Sequence, residues 1–318
     1  MKVVLQRNLF ERSIDVFLEA ERIHGVEFLI TDVLDENTML EYHKKESNCF
    51  IIGAEAYSSN FYQSLSKGSL VIRYGVGYNA VPIEICKERG ISVAYTPGTL
   101  TDSVAEHTFA LLLSLCRNTT ILDNSMKRNE WNGLGGFELK GKTIAIIGFG
   151  QIGQAVAKIA KYGFGMRIHA FDKFISHNEL SDFASTDFAE VVKDADIVSL
   201  HMSSTKETAG FINQQSLSLF KEGAILLNTS RGELVNEKDL FKALLDKKIQ
   251  SAALDVFINE PYVPTENADF RKLPNVLLTP HCGSNTKEAN RNMAEAVVEN
   301  IIAFRDGGKI TSIPELMS

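Results

Sequence analysis

Short apolar runs alternate with amphipathic stretches along the chain, and this alternation predicts repeated strand–helix units. In the first part, strands are predicted at Val3–Leu5, Glu27–Ile30, Cys49–Ile52, Leu70–Arg73 and Ile91–Tyr95. Helices are predicted at Glu11–His24, where Ile14, Phe17, Leu18 and Ile23 lie near one face, and at Met39–Lys45, Phe61–Leu65 and Pro82–Arg89. Strands separated by helices form parallel sheets, so we expect a flavodoxin-like domain.

A second series of the same kind begins at Thr143. Its predicted strands are Thr143–Ile147, Met166–Phe171, Asp196–His201, Ala224–Thr229, Ser251–Phe257 and Val276–Thr279. Its predicted helices include Gln151–Tyr162, Phe188–Lys193, Gln214–Phe220 and Glu237–Lys247. Six such strands complete a dinucleotide-binding domain, so we expect an α/β protein with two doubly wound parallel-sheet domains, the second of them a Rossmann domain.

Between the two series, a helix begins at Thr101 or Asp102 and ends near Arg117. It is apolar nearly all round, which is typical of a helix buried between domains or subunits. Residues 119–139 are predicted to be irregular and to form an arm that reaches a partner subunit.

A last helix, Lys287–Arg305, follows the completed second series, so we expect it to return to the first domain. The predicted substrate-binding domain is therefore 1–98 with 285–318, and the predicted NAD-binding domain is 99–284. Hinges are expected near Pro97-Gly98 and His281–Ser284.

Composition restricts the function further. The 318 residues carry a net charge of −7, which argues against a nucleic-acid partner. No apolar run is long enough to cross a membrane, and the start of the chain does not resemble a signal peptide. The four cysteines are scattered without metal-ligand spacing, so the sequence predicts no metal site and a reducing, cytoplasmic location.

A glycine turn follows the strand at Thr143–Ile147. Gly148, Gly150 and Gly153 have the spacing of a dinucleotide-binding turn, in which the following helix directs free N–H groups at a pyrophosphate. Asp172 ends the next strand, 19 residues after Gly153. An acid at this point can bind the ribose hydroxyls of NAD and repel the 2′-phosphate of NADP, so NAD is the expected cofactor.

Polar residues end three later strands: Arg231, then Asp255 with Glu260, then His281. Ligands bind at the carboxyl ends of parallel strands, so we expect these side chains to converge. A guanidinium binds a carboxylate with two hydrogen bonds, and an imidazole beside a carboxylate can donate a proton. In the first domain, the turn Gly75-Val76-Gly77 can present backbone amides to a substrate carboxylate.

Six motifs together resemble the D-isomer-specific 2-hydroxyacid dehydrogenases, particularly the branch containing D-3-phosphoglycerate dehydrogenase. They are Arg-Tyr-Gly-Val-Gly-Tyr-Asn at 73–79, Val104-Ala-Glu-His107, Leu139-x-Gly-Lys142 before the glycine turn, Asn228-Thr-Ser-Arg-Gly232, Asp255-Val-Phe-x-x-Glu-Pro261 and Thr279-Pro-His-x-Gly283. The resemblance covers roughly residues 70–283.

The resemblance implies that Arg231 binds and polarises a 2-keto acid, that His281 is the acid/base and that Glu260 orients it. The implied cofactor contacts are made by Gln151, Ile152, His201, Thr229, Ser230, Arg231, Asp255, His281, Gly283 and Ser284. It also implies a homodimer built through residues 101–140 and a reaction that interconverts a D-2-hydroxy acid and its 2-keto acid.

Some departures leave the substrate open. The third strand leads into Gly53-Ala-Glu55 without the cation that a phosphate would need, which weakens the phosphoglycerate assignment. Asn79-Ala80 and Met202-Ser203 also differ from the family pattern. An NAD-sensing regulatory protein on the same fold is the alternative hypothesis. A phosphite enzyme would need Lys where Val76 stands.

Overall fold

The structure, a computed structural model, describes residues 1–45, 47–174, 178–265 and 268–316. The chain divides into two units: Met1–Leu100 with Asn285–Ser318, and Thr101–Ser284. Each unit is built on its own parallel sheet. Among the described residues, no helix is long and apolar enough to cross a membrane.

The first unit has a five-stranded sheet. Its strands are β1 (Lys2–Gln6), β2 (Glu27–Thr31), β3 (Cys49–Ile52), β4 (Leu70–Arg73) and β5 (Ser92–Ala94). Its helices are α1 (Arg7–Arg12), α2 (Ile14–His24), α3 (Glu36–Lys44), α4 (Ser59–Ser64), α5 (Ile83–Arg89) and, numbered after those of the second unit, α12 (Lys287–Arg305). The strand order β2-β1-β3-β4-β5 is that of flavodoxin-like folds, as the sequence predicted.

The second unit has a seven-stranded sheet. Its strands are β6 (Thr143–Ile147), β7 (Arg167–Phe171), β8 (Phe183–Ser185), β9 (Ile197–Leu200), β10 (Ala224–Asn228), β11 (Ile249–Leu254) and β12 (Val276–Leu278). Its helices are α6 (Thr101–Arg117), α7 (Thr119–Lys127), α8 (Gln151–Lys158), α9 (Phe188–Val192), α10 (Gln214–Ser218) and α11 (Glu237–Leu245). The order β12-β11-β10-β9-β6-β7-β8 reverses direction at β6, so the glycine turn lies at the topological switch point.

Both sheets are covered on their two faces, which explains the continuous apolar runs of the sequence. All residues of β3, β6 and β10 are buried. A parallel strand buried on both faces has no reason to alternate polar and apolar side chains. The doubly wound α/β fold is confirmed.

Three details of the prediction were wrong. Residues 119–127, predicted to be irregular, form α7, whereas no helix or strand is assigned to 128–142. A seventh strand, β8, was missed because it has only three residues and none of them is fully buried. The helix predicted at Glu11–His24 is broken at Ser13, and Ile14, Leu18 and Ile23 are exposed while Val16, Phe17 and Ala20 are buried.

Candidate active site

The glycine turn after β6 has the geometry that a dinucleotide needs. Gly148 has φ +97°, and a Cβ atom there would lie 2.5 Å from the backbone nitrogen of Met202. A Cβ at Gly153 would overlap the carbonyl oxygen of Gly148, so only glycine allows α8 to pack this closely. A Cβ at Gly150 would meet nothing within 4 Å. The middle glycine therefore faces open space, where a pyrophosphate can approach the backbone.

Asp172 lies directly after β7 and is tied to this turn. One carboxylate oxygen accepts a hydrogen bond from the amide of Phe149 at 2.8 Å, and the other accepts one from Phe174 at 2.9 Å. Each oxygen keeps a further lone pair, because a carboxylate can accept about four hydrogen bonds. The residue is thus oriented by the turn and can still accept from ribose hydroxyls.

His201, predicted to contact the cofactor, directly follows β9 and contacts a side chain of that strand. Its Nε2 lies 2.8 Å from the hydroxyl of Ser199, and its Nδ1 is buried without a hydrogen-bond partner among the described contacts. Burial lowers the pKa of the ring to about 3, so the imidazole is neutral near pH 7.

The turn at Thr229–Arg231 is folded around the side chain of Asn228. The side-chain oxygen Oδ1 of Asn228 accepts a hydrogen bond from the amide of Ser230 at 3.1 Å, and the side-chain NH₂ group donates to the backbone carbonyl of Arg231 at 2.9 Å. The Ser230 hydroxyl donates to the carbonyl of Met202 at 2.6 Å. A buried amide that bridges its own turn fixes the direction in which the Arg231 side chain leaves the strand.

Arg231 itself lies in a partly buried, acidic environment. Burial lowers the pKa of the guanidinium, and the nearby carboxylates of Glu233 and Glu260 act in the opposite direction. Arginine stays charged in proteins, so the side chain presents a cation beside the strand ends. Gly232 allows this arrangement because a Cβ there would overlap the backbone of Phe257.

His281 and Glu260 form a short polar contact between ionisable side chains at these strand ends. Nδ1 of His281 lies 2.6 Å from a carboxylate oxygen of Glu260, with the side chains 33% and 36% exposed. The other Glu260 oxygen accepts a hydrogen bond from the amide of Phe257 at 3.0 Å. Burial acts to raise the pKa of Glu260, but the hydrogen bond and charge of His281 outweigh it, so the net pKa is lowered. Glu260 is therefore ionised near pH 7 and orients the imidazole.

The backbone of His281 is also constrained. Its φ is +48°, which lies in the left-handed region. Non-glycine residues rarely adopt this region, because doing so costs about 1–3 kcal/mol. Its amide donates to the carbonyl of Asp255 at 2.7 Å. The strained conformation is thus held by the neighbouring strand end.

Asp255, only 1% exposed, organises the segment after β12. Its carboxylate accepts hydrogen bonds from the Thr279 hydroxyl at 2.6 Å, the Cys282 amide at 3.0 Å and the Gly283 amide at 2.9 Å. His107 Nε2 lies 3.4 Å away. Burial acts to raise the pKa of Asp255, but these hydrogen bonds lower it overall. The predicted cofactor contact therefore also has a structural role.

In the first unit, the turn after β4 differs in one respect from the expectation. The amide of Gly75 donates to the buried hydroxyl of Thr96 at 3.0 Å, and is therefore engaged. The amides of Val76 and Gly77 have no acceptor among the described contacts. These two, rather than all three, are available to a ligand.

Three residues of the site were not recognised from the sequence: His107, Asn228 and Thr279. All three stand inside the motifs quoted above. Their roles, however, depend on contacts with residues that lie 3 to 172 positions away in the chain. Neither hydrophobic pattern nor motif spacing contains those contacts.

The second unit thus combines a dinucleotide turn with an imidazole–carboxylate pair and a guanidinium at the carboxyl ends of one sheet. This combination defines a nicotinamide-dependent dehydrogenase.

Comparison with known proteins specifies the class. Residues 109–283 match the family model described as the NAD binding domain of D-isomer specific 2-hydroxyacid dehydrogenases. The glyoxylate reductase of Thermococcus litoralis is 43% identical over 256 residues, which cover 77% of this chain and 76% of that protein. The D-3-phosphoglycerate dehydrogenase of Bacillus subtilis is 33% identical over 315 residues, which cover 98% of this chain and 58% of that protein.

Among solved structures, an NADPH-dependent glyoxylate/hydroxypyruvate reductase from Sinorhizobium meliloti, in complex with NADP and malonate, aligns with a TM-score of 0.85 at 26% identity. The alignment covers 99% of this chain and 97% of that one. The chain belongs to the D-isomer-specific 2-hydroxyacid dehydrogenase family, as its motifs indicated. It is an NAD(P)-dependent oxidoreductase of 2-hydroxy acids.

Proposed function

We propose that this protein interconverts a small D-2-hydroxy acid and its 2-keto acid, with His281 as the proton donor and acceptor. The observation that carries the proposal is the 2.6 Å contact between His281 Nδ1 and Glu260. Glu260 fixes the ring with Nδ1 toward itself, so Nε2 is the nitrogen that exchanges the proton with the substrate oxygen. When bound, NADH supplies the hydride for the keto carbon.

Arg231 is proposed to bind the substrate carboxylate and to polarise the keto oxygen. Its guanidinium interacts electrostatically with Glu260, the partner of His281. Arg231 and His281 are therefore proposed to act on the same small molecule. As the sequence predicted for this turn, the backbone amides of Val76 and Gly77 are proposed as further hydrogen-bond donors to the substrate carboxylate. On this reading the first unit is the substrate-binding domain and the second is the NAD-binding domain.

The proposed dinucleotide contacts begin at the glycine turn. Gly148, Gly150 and Gly153 with the amides of Gln151 and Ile152 bind the pyrophosphate, and Asp172 binds the ribose. Asp255 binds the nicotinamide carboxamide, and the nicotinamide end is lined by His201, Thr229–Arg231, Gly283 and Ser284. Because the negative charge of the Asp172 carboxylate repels a 2′-phosphate, we propose that the protein uses NADH in preference to NADPH.

The substrate class is proposed from the relatives. The relatives compared above include glyoxylate reductases, and this chain has no cation at Gly53-Ala-Glu55 to bind a phosphate. A small, unphosphorylated 2-keto acid such as glyoxylate or hydroxypyruvate therefore fits best.

Oxidation of NADH, followed by its absorbance, tests this with glyoxylate, hydroxypyruvate, pyruvate, phosphohydroxypyruvate and a bulky 2-keto acid. Robust turnover of a small keto acid is expected, with a D-hydroxy product where the product is chiral. Tight NADH binding without turnover of any substrate would instead favour the NAD-sensing alternative. Preference for phosphohydroxypyruvate would contradict the proposed substrate class.

We also propose that two copies associate through residues 101–140. Within this segment Ile121, Met126, Trp131 and Leu134 are exposed, Trp131 by 88%. Large exposed apolar side chains close together in sequence are typical of association surfaces. Light scattering coupled to gel filtration should give twice the chain mass. Trp131→Ser combined with Met126→Ser should lower it toward the mass of one chain, and a dimer unaffected by both changes would refute this interface.

A further inference from the structure

Three side chains of different metal-ligand types lie close together: an imidazole, a carboxylate and a thiol. His107 comes from α6, Asp255 follows β11 and Cys282 follows β12. Nε2 of His107 lies 3.4 Å from Oδ1 of Asp255, and Sγ of Cys282 lies 3.6 Å from the same oxygen. Sγ of Cys282 and Nε2 of His107 are 4.0 Å apart. Among the described residues, these atoms form a candidate metal-ligand triangle.

The triangle has nearly the dimensions of a tetrahedral zinc site. Bonds of about 2.3 Å to sulfur and about 2.0–2.1 Å to nitrogen or oxygen put tetrahedral ligand atoms about 3.3–3.6 Å apart. Two of the three separations agree with this range, and the third needs a shift of a few tenths of an ångström by the partly exposed Cys282.

The surroundings favour a cation at this position. Asp255 is buried, and its second oxygen is bonded to the Gly283 amide, so the carboxylate is held in a fixed position. Two contacts compete for Asp255 Oδ1: the Cys282 amide at 3.0 Å, and the Thr279 hydroxyl at 2.6 Å, which also lies 3.2 Å from His107 Nε2. Rotation about one bond of Thr279 moves its hydroxyl aside or leaves it as an additional oxygen ligand, and the Cys282 amide can keep its bond to the remaining lone pair of Oδ1.

We propose that His107 Nε2, Asp255 Oδ1 and Cys282 Sγ bind one thiophilic divalent cation, Zn²⁺, with water in the fourth position. On binding, the Cys282 thiol loses its proton to the solvent and a metal–sulfur bond forms. The sequence predicted no metal site because these ligands are 27 to 175 residues apart in the chain. The proposal differs from that expectation because it rests on distances in the fold and not on spacing along the chain.

Bound Zn²⁺ should also affect catalysis, an expectation that rests on the proposed function. The metal uses the Asp255 oxygen that orders the segment carrying His281, and it occupies the neighbourhood of the proposed nicotinamide site. Zn²⁺ should therefore compete with NADH and inhibit the reductase. Neither Mg²⁺ nor Ca²⁺ should do so, since a site with thiolate and imidazole ligands disfavours these cations.

Direct binding is tested with Co²⁺ as a spectroscopic probe under anaerobic conditions. The full chain should bind one equivalent and develop a near-ultraviolet thiolate-to-metal absorption band, which Zn²⁺ then abolishes. Cys282→Ala should lose the band. His281→Ala should retain it, which separates this site from the His281–Glu260 pair. Absence of the band, or an unchanged band in Cys282→Ala, would overturn the proposal.

Inhibition is tested separately, so that the metal site and the proposed reaction can fail independently. Each variant is compared with its own rate in EDTA, using glyoxylate and NADH. Cys282→Ala should need at least about 10-fold more Zn²⁺ for half-inhibition than the unaltered chain. Equal sensitivity would overturn inhibition through this site, whereas the Co²⁺ band decides binding even if glyoxylate is not the substrate.

Discussion

Nδ1 of His281 lies 2.6 Å from the carboxylate of Glu260, although the two residues belong to separate loops after β11 and β12. Among the described contacts, Nε2 of His281 has no hydrogen-bond partner, and the Glu260 carboxylate lies on the Nδ1 side of the ring. An imidazole held in this way can exchange a proton while the carboxylate stabilises its charged form.

The first prediction concerns His281. His281→Ala should lower turnover by about 10²–10⁴-fold, because general acid catalysis contributes this much. NADH affinity should change little, as judged by quenching of protein fluorescence. Full turnover in this variant would remove His281 from the mechanism.

Glu260→Gln should change the pH dependence of the reaction. In the reducing direction the proton donor must be protonated, and the neutral amide no longer favours the charged ring. When it is measured across the pH range, kcat/KM for keto-acid reduction should therefore be lower than in the unaltered chain, by about 10-fold or more near pH 7. Glu233→Gln is the matched control, since Glu233 is also near Arg231 but has no described hydrogen bond to His281. Identical profiles for the two variants would contradict the role of Glu260.

Asp172→Asn should weaken the preference for NADH. The variant keeps one acceptor oxygen but loses the charge that repels a 2′-phosphate, and a hydrogen bond to a charged group contributes about 1.5–3 kcal/mol. The ratio of kcat/KM for NADPH to that for NADH should rise at least about 10-fold. An unchanged ratio, or an unaltered chain that already prefers NADPH, would show that another residue selects the cofactor.

Gly150 and Gly153 offer a matched pair of substitutions. Gly153→Ala should destabilise the fold by about 1–3 kcal/mol, because its Cβ overlaps the carbonyl of Gly148. Gly150→Ala should leave the thermal midpoint nearly unchanged, since its Cβ meets nothing within 4 Å. It should nevertheless weaken NADH binding by occupying the space proposed for the pyrophosphate. Normal NADH affinity in Gly150→Ala would place the dinucleotide elsewhere.

Asp196 provides a test of acid stability away from the site. It accepts hydrogen bonds from the Thr143 amide at 2.9 Å and from Lys221 at 2.6 Å. Burial acts to raise the pKa of Asp196, but Lys221, the amide and Lys142 lower it overall.

Its stabilising effect is therefore complete above the unfolded pKa of about 3.9 and is lost as the pH falls through the lower folded value. Asp196→Asn should be about 1–2 kcal/mol less stable near pH 7. That difference should shrink below about pH 4 in thermal unfolding followed by fluorescence. A difference that grew toward acid pH would have the wrong sign.

The sequence predicted the parts of the fold that follow from local pattern. Buried strands such as Cys49–Ile52 were found with their observed ends because a run of four apolar residues lies between Asn48 and Gly53. The three-residue strand β8 and the helix α7 were missed. Their stability depends on neighbours from distant parts of the chain, since helices and strands this short are marginal alone.

For the site, the sequence by itself determined which side chains end the strands of the second unit, and hence Arg231, Asp255, Glu260 and His281 as a set. Parallel topology makes strand ends adjacent, so residue identity and position were sufficient. The family resemblance already implied the pairing of Glu260 with His281, and the structure gives its distance. Only the tertiary structure decided the other pairings, which are Asn228 within the Arg231 turn and Asp255 with His107 and Cys282. Hydrogen bonds and metal-ligand distances act over about 3–4 Å, and the backbone rather than the spacing of residues along the chain brings atoms within that reach.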